Sequence, residues 1–246
     1  MRRRLFLTTL VLFAGACAAP NSRTPPAGVA ANVAAPQIAA GDTWVYAVHD
    51  GFTKMPRESV EYRVTQVEGD RATVEVRSGE QVSTELYTRS GNWLQRPATN
   101  MWVFSYSPAY EALAFPLEPG KTWKARSIAT DPADGRSFPV RIEGKVLGWE
   151  HIREPAGEFD ALKIYRRVFL DYFRQGVRGQ SIIDETEWYV PALRQVARRE
   201  TRSRYLSWIY GRREGPIVYV GRDDGGGPRY IEDDWLVYDL LKYSVR

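Results

Sequence analysis

The stretch that decides the fold class is VEYRVTQVEGDRATVEVR, residues 60–77. Apolar residues alternate with polar ones on both sides of Gly69: Val60, Tyr62 and Val64 precede it, and Ala72, Val74 and Val76 follow it. Successive side chains of a β-strand point to opposite faces, so a period of two predicts half-buried strands rather than helices. A tight turn is predicted at 68–70. The stretch therefore predicts an antiparallel hairpin.

The same alternation continues along the chain from Gly41 onward. Further apolar positions of this kind are Trp44, Tyr46, Val48, Val82 and Leu86. Later strands are predicted over 121–128, 138–149, 159–172, 181–190, 193–209 and 231–243. Only residues 108–114 predict a short helical turn. The chain is therefore predicted to be mainly β: a curved antiparallel sheet, half-barrel or open barrel, built as a β-meander with few short helices.

A short repeat suggests that the sheet has two similar halves. Gly41-Asp-Thr-Trp44 recurs as Gly120-Lys-Thr-Trp123, and in each copy another glycine, Gly69 or Gly148, follows 25 residues after the tryptophan. Self-similarity at a fixed shift is typical of repeated supersecondary units. The alternative is chance, together with the ordinary use of glycine before a strand.

Residues 1–16 predict an export signal. Three arginines at positions 2–4 precede an apolar run and the small residues Ala14, Gly15 and Ala16, which is the order of a signal peptide with its cleavage site. The apolar run, 5–13, is far shorter than the roughly 20 residues that a membrane-spanning helix needs. We therefore expect the segment to be removed after export.

Residues 17–40 predict a flexible tether, and residues 41–246 predict a single β-rich domain. The tether is almost entirely Ala, Pro, Asn, Ser, Gly and Val without periodicity. A segment of this composition buries too little apolar surface to offset the entropy lost on ordering.

The residues around Cys17 resemble the lipobox of bacterial lipoproteins, although Ala14 stands where that family usually has Leu. The resemblance implies that Cys17, the sole cysteine of the chain, becomes the first mature residue and carries the lipid. It also implies an outer-membrane position facing the periplasm, since Ala18 is not the Asp that tends to retain lipoproteins in the inner membrane. The alternative is a plain secretory signal and a soluble periplasmic or secreted protein.

Charge does not predict a nucleic-acid partner. The chain carries 34 basic and 30 acidic residues, and removal of the signal takes away three arginines. The nearly neutral remainder lacks the basic excess of nucleic-acid-binding domains. The predicted partners are the membrane, through the lipid anchor, and a lipid or an envelope protein. One cysteine allows no internal disulfide.

Two segments are candidates for ligand binding. Residues 101–117 are the most apolar part of the domain, and Trp102, Phe104 and Tyr106 are predicted to line a cavity or cover the open side of the sheet. Plain core is the alternative.

The second segment is an arginine-rich strand. Arg194, Arg198, Arg202 and Arg204 are predicted to share one face, with Arg199 on the other. The first three are candidate ligands for a phosphate or carboxylate group. The alternative is a solvated strand whose charges discourage edge pairing.

No catalytic residue, metal site or cofactor is predicted. His49 and His151 each stand alone, and no Gly-x-Ser-x-Gly elbow supplies a nucleophile. Glu185 and Glu187 are predicted to project from the same face, which we interpret as a solvated strand face. We therefore expect a non-enzymatic protein that binds an apolar or amphipathic ligand or an envelope partner; an assembly adaptor and, third, a hydrolase are the alternatives.

Three segments, 41–46, 156–164 and 187–196, look like parts of uncharacterised β-rich bacterial envelope proteins. The predicted architecture is similar to that of the lipoprotein-carrier half-barrels, in which a curved sheet holds an apolar cavity. This similarity concerns architecture, which does not by itself transfer function.

Overall fold

The computed structural model describes residues 21–99, 102–174, 177–207 and 229–246, which form a closed antiparallel barrel. Its strands are β1 (Thr43–Asp50), β2 (Val60–Glu68), β3 (Arg71–Ser78), β4 (Gln81–Thr88), β5 (Trp93–Thr99), β6 (Trp102–Tyr110), β7 (Thr122–Thr130), β8 (Ser137–Glu154), β9 (Gly157–Arg174), β10 (Val177–Val190), β11 (Gln195–Ser207) and β12 (Arg229–Ser244). A 3₁₀ turn, Pro191–Leu193, joins β10 to β11. Among the described residues, no helix has the length and apolar composition needed to cross a membrane.

The mainly β meander is confirmed, and the sheet closes completely. Each strand pairs with the next along the chain, and β12 pairs with β1 from Thr43–Ser244 to Asp50–Leu236. Closure removes the unpaired edges that an open sheet would expose. The prediction left the choice between a half-barrel and an open barrel; the structure is a closed barrel.

Strands β5 and β6 were not predicted as strands. They contain Pro97 and Pro108, and the pairing of β5 with β6 is interrupted by irregularities beside Trp93 and Pro97. Bulges change which face a side chain occupies, so the period of two is lost from the sequence. The helical turn predicted over 108–114 is wrong: β6 extends to Tyr110 and an irregular segment follows.

The two G-x-T-W copies begin equivalent strands, β1 and β7, which are the first and seventh of the twelve. Gly41 donates to Val64 O at 2.8 Å, and Gly120 donates to Val146 O at 2.8 Å. Both glycines have positive φ, 93° and 91°, a conformation that side chains disfavour. The repeat therefore marks the same strand-entry turn in each six-stranded half.

The further equivalence predicted for Gly69 and Gly148 is wrong. Gly69 lies in the turn between β2 and β3, whereas Gly148 lies inside β8 at a bulge. A Cβ at Gly148 would lie 2.6 Å from the backbone oxygen of Ser22. The glycine thus allows the N-terminal segment to approach the barrel.

Residues 21–40 lie against one end of the barrel, which corrects the expectation of a flexible tether for this part. Ser22 exchanges backbone hydrogen bonds with Trp149 at 2.9 and 2.7 Å, and Val33 does so with Leu117 at 2.8 Å. Val33 and Ile38 are buried in the core. Each such side chain contributes about 1.5–3 kcal/mol when fully buried, which offsets part of the ordering entropy. Residues 17–20 lie outside the described residues.

The barrel has two different ends. At the closed end, residues 21–40 and the segment 111–121 pack over the interior, with Ala112, Leu113 and Leu117 buried. At the same end, Trp44 donates from Nε1 to Leu193 O at 3.0 Å. The opposite end, which we call the open end, carries the β1–β2 loop and the β3–β4 turn.

Candidate binding cavity

Among the described residues, a cavity of about 480 Å³ lies inside the barrel and opens at the open end. Small-molecule sites typically have volumes of about 300–1,000 Å³. Its wall combines three kinds of residue: aromatic (Tyr62, Trp93, Tyr238), aliphatic (Val48, Val60, Val76, Leu236), and polar or charged (among them Ser83, Glu85, Arg96, Glu185, Arg199, Thr201 and Ser203). The cavity is therefore large enough for a ligand and is lined on different sides by apolar and charged groups.

A buried ion-pair cluster around Arg166 borders the cavity. Arg166 lies opposite Glu185 in the β9–β10 register and has no exposed side-chain surface. Its Nε and Nη2 donate to Glu185 Oε2 at 3.0 and 2.8 Å, and its Nη1 donates to Glu187 Oε2 at 2.7 Å. Nη1 also donates to Ala112 O at 2.9 Å. One guanidinium thus neutralises part of two carboxylates and ties the barrel wall to the closed end.

Arg166 and Glu187 favour the ionised form of each other. Burial alone would raise the pKa of Glu187, but Arg166, together with Arg199 and Arg96, outweighs burial and holds that pKa below its usual range. Burial likewise acts to lower the pKa of Arg166, and Glu187 and Glu185 raise it well above the ordinary value. Opposite charges at hydrogen-bond distance favour both ionised forms. Arg166 and Glu187 therefore form an ionised pair in the barrel interior.

Arg96 faces the cavity from β5. The irregularity after Trp93 lets both residues point inward, and the Arg96 guanidinium lies 3.9 Å from the centre of the Trp93 ring. Its Nε is 3.7 Å from Glu85 Oε2 and has no hydrogen-bond partner among the described residues. Glu85 instead accepts a hydrogen bond from the hydroxyl of Tyr87. The Arg96 guanidinium is thus stacked on Trp93, with its buried Nε left without a hydrogen bond among the described residues.

Arg199 faces the cavity from β11 and is 8% exposed. Its Nη2 donates to Tyr62 Oη at 3.3 Å, and its guanidinium lies 4.0 Å from the centre of the Tyr238 ring. Within the described part of the chain, no carboxylate lies within 4 Å of its nitrogens. A guanidinium has five N–H donors, of which these contacts use few.

The predicted aromatic candidates are divided by the structure. Phe104 is buried against Phe138, with ring centres 6.0 Å apart, and is part of the core. Tyr106 is 5% exposed and packs against Trp93, and its hydroxyl has no hydrogen-bond partner among the described residues. Trp102 lies in β6, and its side chain is outside the described residues.

The predicted arginine candidates lie outside the cavity. Arg194 follows the 3₁₀ turn and pairs with Asp42 at 3.2 Å. Arg198 pairs with Glu200 at 2.7 Å, and Arg202 pairs with Glu232 at 2.8 Å. The alternation on β11 turns Arg198 and Arg202 away from Arg199, as predicted, whereas Arg194 precedes the strand and does not belong to that face. The face that borders the cavity carries Arg199.

The residues of the ion-pair cluster were not recognised from the sequence. Glu185 and Glu187 do share a face, but the solvated-face interpretation is wrong because that face points inward and both side chains are buried. Arg166 replaces an apolar residue in the inward row of Leu162, Ile164, Val168 and Leu170. A charge in such a row is the signal that could have identified the cluster.

Comparisons with known proteins give distant structural likenesses. No protein-family model and no curated protein matches the chain. A predicted lipoprotein of Parabacteroides distasonis is 16% identical with a TM-score of 0.43, covering 85% of this chain and 97% of its own. A predicted exported protein with YmcC-like fold from Bacteroides fragilis is 11% identical with a TM-score of 0.46, covering 87% and 100%. The hypothetical lipoprotein YmcC of Escherichia coli is 14% identical with a TM-score of 0.41, covering 83% and 86%.

Proposed function

We propose that this protein is a non-enzymatic, lipid-anchored protein of the cell envelope that binds a small amphipathic ligand inside its barrel. The observation that carries the proposal is the 480 Å³ cavity, which is open at one end and has both apolar and charged walls. Ligand sites are typically concave and mostly apolar, with a few polar groups that orient the ligand. A solid barrel interior would have given no support to this function.

The state of the carboxylates supports binding rather than catalysis. Glu185 and Glu187 accept hydrogen bonds from Arg166, and Glu85 accepts one from Tyr87. A general base needs a pKa near the working pH, whereas the pKa of Glu187 is held below its usual range. Each of these carboxylates is paired with a donor of the protein, and none is left free to act as a base.

The anchor part of the proposal rests on the lipobox-like residues before Cys17, and the outer-membrane position rests on Ala18. Because residues 21–40 lie at the closed end, the chain enters the barrel at the end opposite the cavity mouth. The proposal therefore places the mouth on the side of the barrel that faces away from the anchoring membrane.

Blocking the cavity tests the proposal. Ser83 lies on β4 and lines the cavity, while Thr84 points to the opposite face. After gentle purification, we expect native mass spectra of the wild-type protein to show a bound small ligand. Ser83→Trp should fill the cavity and abolish binding of that ligand. The matched variant Thr84→Trp should keep the ligand. Wild-type protein that carries no ligand and has a closed interior would contradict the proposed function.

A second candidate, an adaptor that docks an envelope protein, is favoured by the rim of the open end. Phe52, Met55 and Val82 are 48%, 64% and 53% exposed there. Exposed apolar clusters often mark interaction sites. In this case the native mass spectrum would lack a small ligand, and crosslinkers placed at Met55 would capture the same envelope protein repeatedly.

A further inference from the structure

The hydrogen-bond acceptors and donors around the cavity differ in how many of them have a partner within the protein. Every acid of the ion-pair cluster has a close donor: Glu185 accepts from Arg166 and also from Tyr110 Oη at 3.2 Å, and Glu187 accepts from Arg166 at 2.7 Å. Glu85 accepts from the hydroxyl of Tyr87. These three carboxylates are therefore occupied by the protein itself; the two other acids of the wall are Glu58, in the β1–β2 loop, and Asp234, on β12.

Several donors in this wall, and one behind it beside Trp93, are not fully used. Among the described residues, Arg96 Nε and Tyr106 Oη are buried and have no hydrogen-bond partner. Arg199 contributes a third group, since among the described residues its guanidinium contacts a tyrosine hydroxyl and a tyrosine ring and no carboxylate. Buried polar groups nearly always have a partner, and an unpaired one calls for a bound water, ion or ligand. The groups without a partner are hydrogen-bond donors, and the oxygen atoms of an anion can accept hydrogen bonds from them.

Two of these residues, Arg96 and Tyr106, contact the same tryptophan, Trp93. Arg96 stacks on the Trp93 ring at 3.9 Å, and Tyr106 packs against the same ring with centres 6.4 Å apart. Arg96 and Arg199 line the same cavity, together with the hydroxyls of Thr201 and Ser203. Guanidinium groups bind carboxylate and phosphate oxygens with charge-assisted hydrogen bonds, which are stronger than neutral ones.

We propose that the cavity ligand is anionic and that its carboxylate or phosphate group is bound between Arg96 and Arg199. This proposal rests on the proposed function and specifies the chemical class of the ligand. The aliphatic wall formed by Val48, Val60, Val76 and Leu236 belongs to the same cavity and accommodates an apolar chain. The head group binds at the mid-barrel arginines, and the chain extends along this wall.

The test compares two adjacent arginines on opposite faces of β11. Arg199→Gln removes the charge inside the cavity, and Arg198→Gln removes a charge on the outer face, where Arg198 pairs with Glu200. The lipidated full chain is held in phosphatidylcholine nanodiscs, with empty nanodiscs as the blank. Isothermal titration uses three probes: inorganic phosphate, octyl phosphate and octyltrimethylammonium.

We expect octyl phosphate to bind the wild type and the cationic amphiphile not to bind. Arg199→Gln should weaken the affinity for octyl phosphate about 10- to 100-fold, as expected for the loss of a charged hydrogen-bond donor. Arg198→Gln should leave this affinity within about twofold of the wild-type value. If Arg199→Gln does not fold, Arg199→Lys, which keeps the charge but loses the planar fork, should still weaken binding.

The outcomes separate this inference from the proposed function. Three results would overturn the proposal that the ligand is anionic. They are equal binding of the cationic and anionic amphiphiles, an unchanged affinity for octyl phosphate in Arg199→Gln, and no binding of either phosphate probe. A ligand in the native mass spectrum would then still support the cavity function. Binding of inorganic phosphate as tightly as octyl phosphate supports the anion site and removes the amphipathic part of the proposed function.

Discussion

Replacing Arg166 with Met is expected to lower the free energy of unfolding by about 3–5 kcal/mol, the cost of breaking a buried ion pair by removing one partner. Arg166 is fully buried and donates to Glu185, Glu187 and Ala112. Met fills much of the space but supplies no donor, so two buried carboxylates lose their compensating charge. Urea unfolding followed by tryptophan fluorescence measures the change.

The pH dependence of this variant should have the opposite sign from that of the wild type. In the wild type the pKa of Glu187 is lowered by folding. Its contribution to the free energy of unfolding is therefore present above the pKa of the unfolded chain, near 4.5, and is lost as pH falls through the pKa of the folded protein. Without Arg166, only Arg199 and Arg96 oppose burial, which is the largest single influence, and we expect burial to raise that pKa. Folding then takes up protons, and the variant should gain stability relative to wild type as pH is lowered.

The adjacent residue provides the matched control. Arg167 is 42% exposed and pairs with Asp184 at 2.7 Å on the outer face. Arg167→Met should change the unfolding free energy by less than about 1 kcal/mol, as for exposed ion pairs. Adding Glu185→Gln and Glu187→Gln to Arg166→Met should recover part of the loss. Equal effects of Arg166→Met and Arg167→Met would mean that the cluster does not stabilise the barrel.

Replacing Cys17 with Ser is expected to release the protein from the membrane fraction completely. Each acyl methylene buried in a bilayer contributes about 0.8 kcal/mol, so the loss of several acyl chains removes the anchor. Cell fractionation and the intact mass of the protein measure this effect. The mass should fall by the acyl groups as well as by the sulfur-to-oxygen exchange.

A second variant separates lipidation from sorting. The lipoprotein resemblance implies that Ala18→Asp keeps the lipid but moves the protein to the inner membrane. We therefore expect Cys17→Ser to yield soluble protein and Ala18→Asp to yield membrane-bound protein of lipidated mass. Unchanged fractionation of Cys17→Ser, with a mass that differs from wild type only by the sulfur-to-oxygen exchange, would disprove the lipoprotein interpretation and leave a plain secretory signal.

The strands were predictable wherever one face of the sheet is apolar. In β3, Ala72, Val74 and Val76 alternate with polar residues because one face is buried and the other is solvated, and the sequence records this directly. The G-x-T-W repeat was also informative, because a positive-φ glycine is needed at both strand entries. Local patterns of this kind depend only on neighbouring residues.

The rest depended on contacts between distant residues. Barrel closure is a pairing of β1 with β12, which no local pattern specifies. The orientation of Glu185 and Glu187 required knowing that Arg166 lies opposite them inside the barrel. Arg198 and Arg199 show the same limit: alternation separated their faces, but only the closed sheet shows which face borders the cavity.

Thiol labelling inside the barrel tests most directly the claim that the cavity is open and holds a ligand. In the Cys17→Ser background, Thr201→Cys places the sole thiol in the cavity wall, and Glu200→Cys places it on the outer face. We predict that a small thiol reagent labels both variants in the folded state and that octyl phosphate slows labelling only of Thr201→Cys. Labelling of Thr201→Cys that occurs only on unfolding, or that octyl phosphate leaves unchanged, would contradict the account.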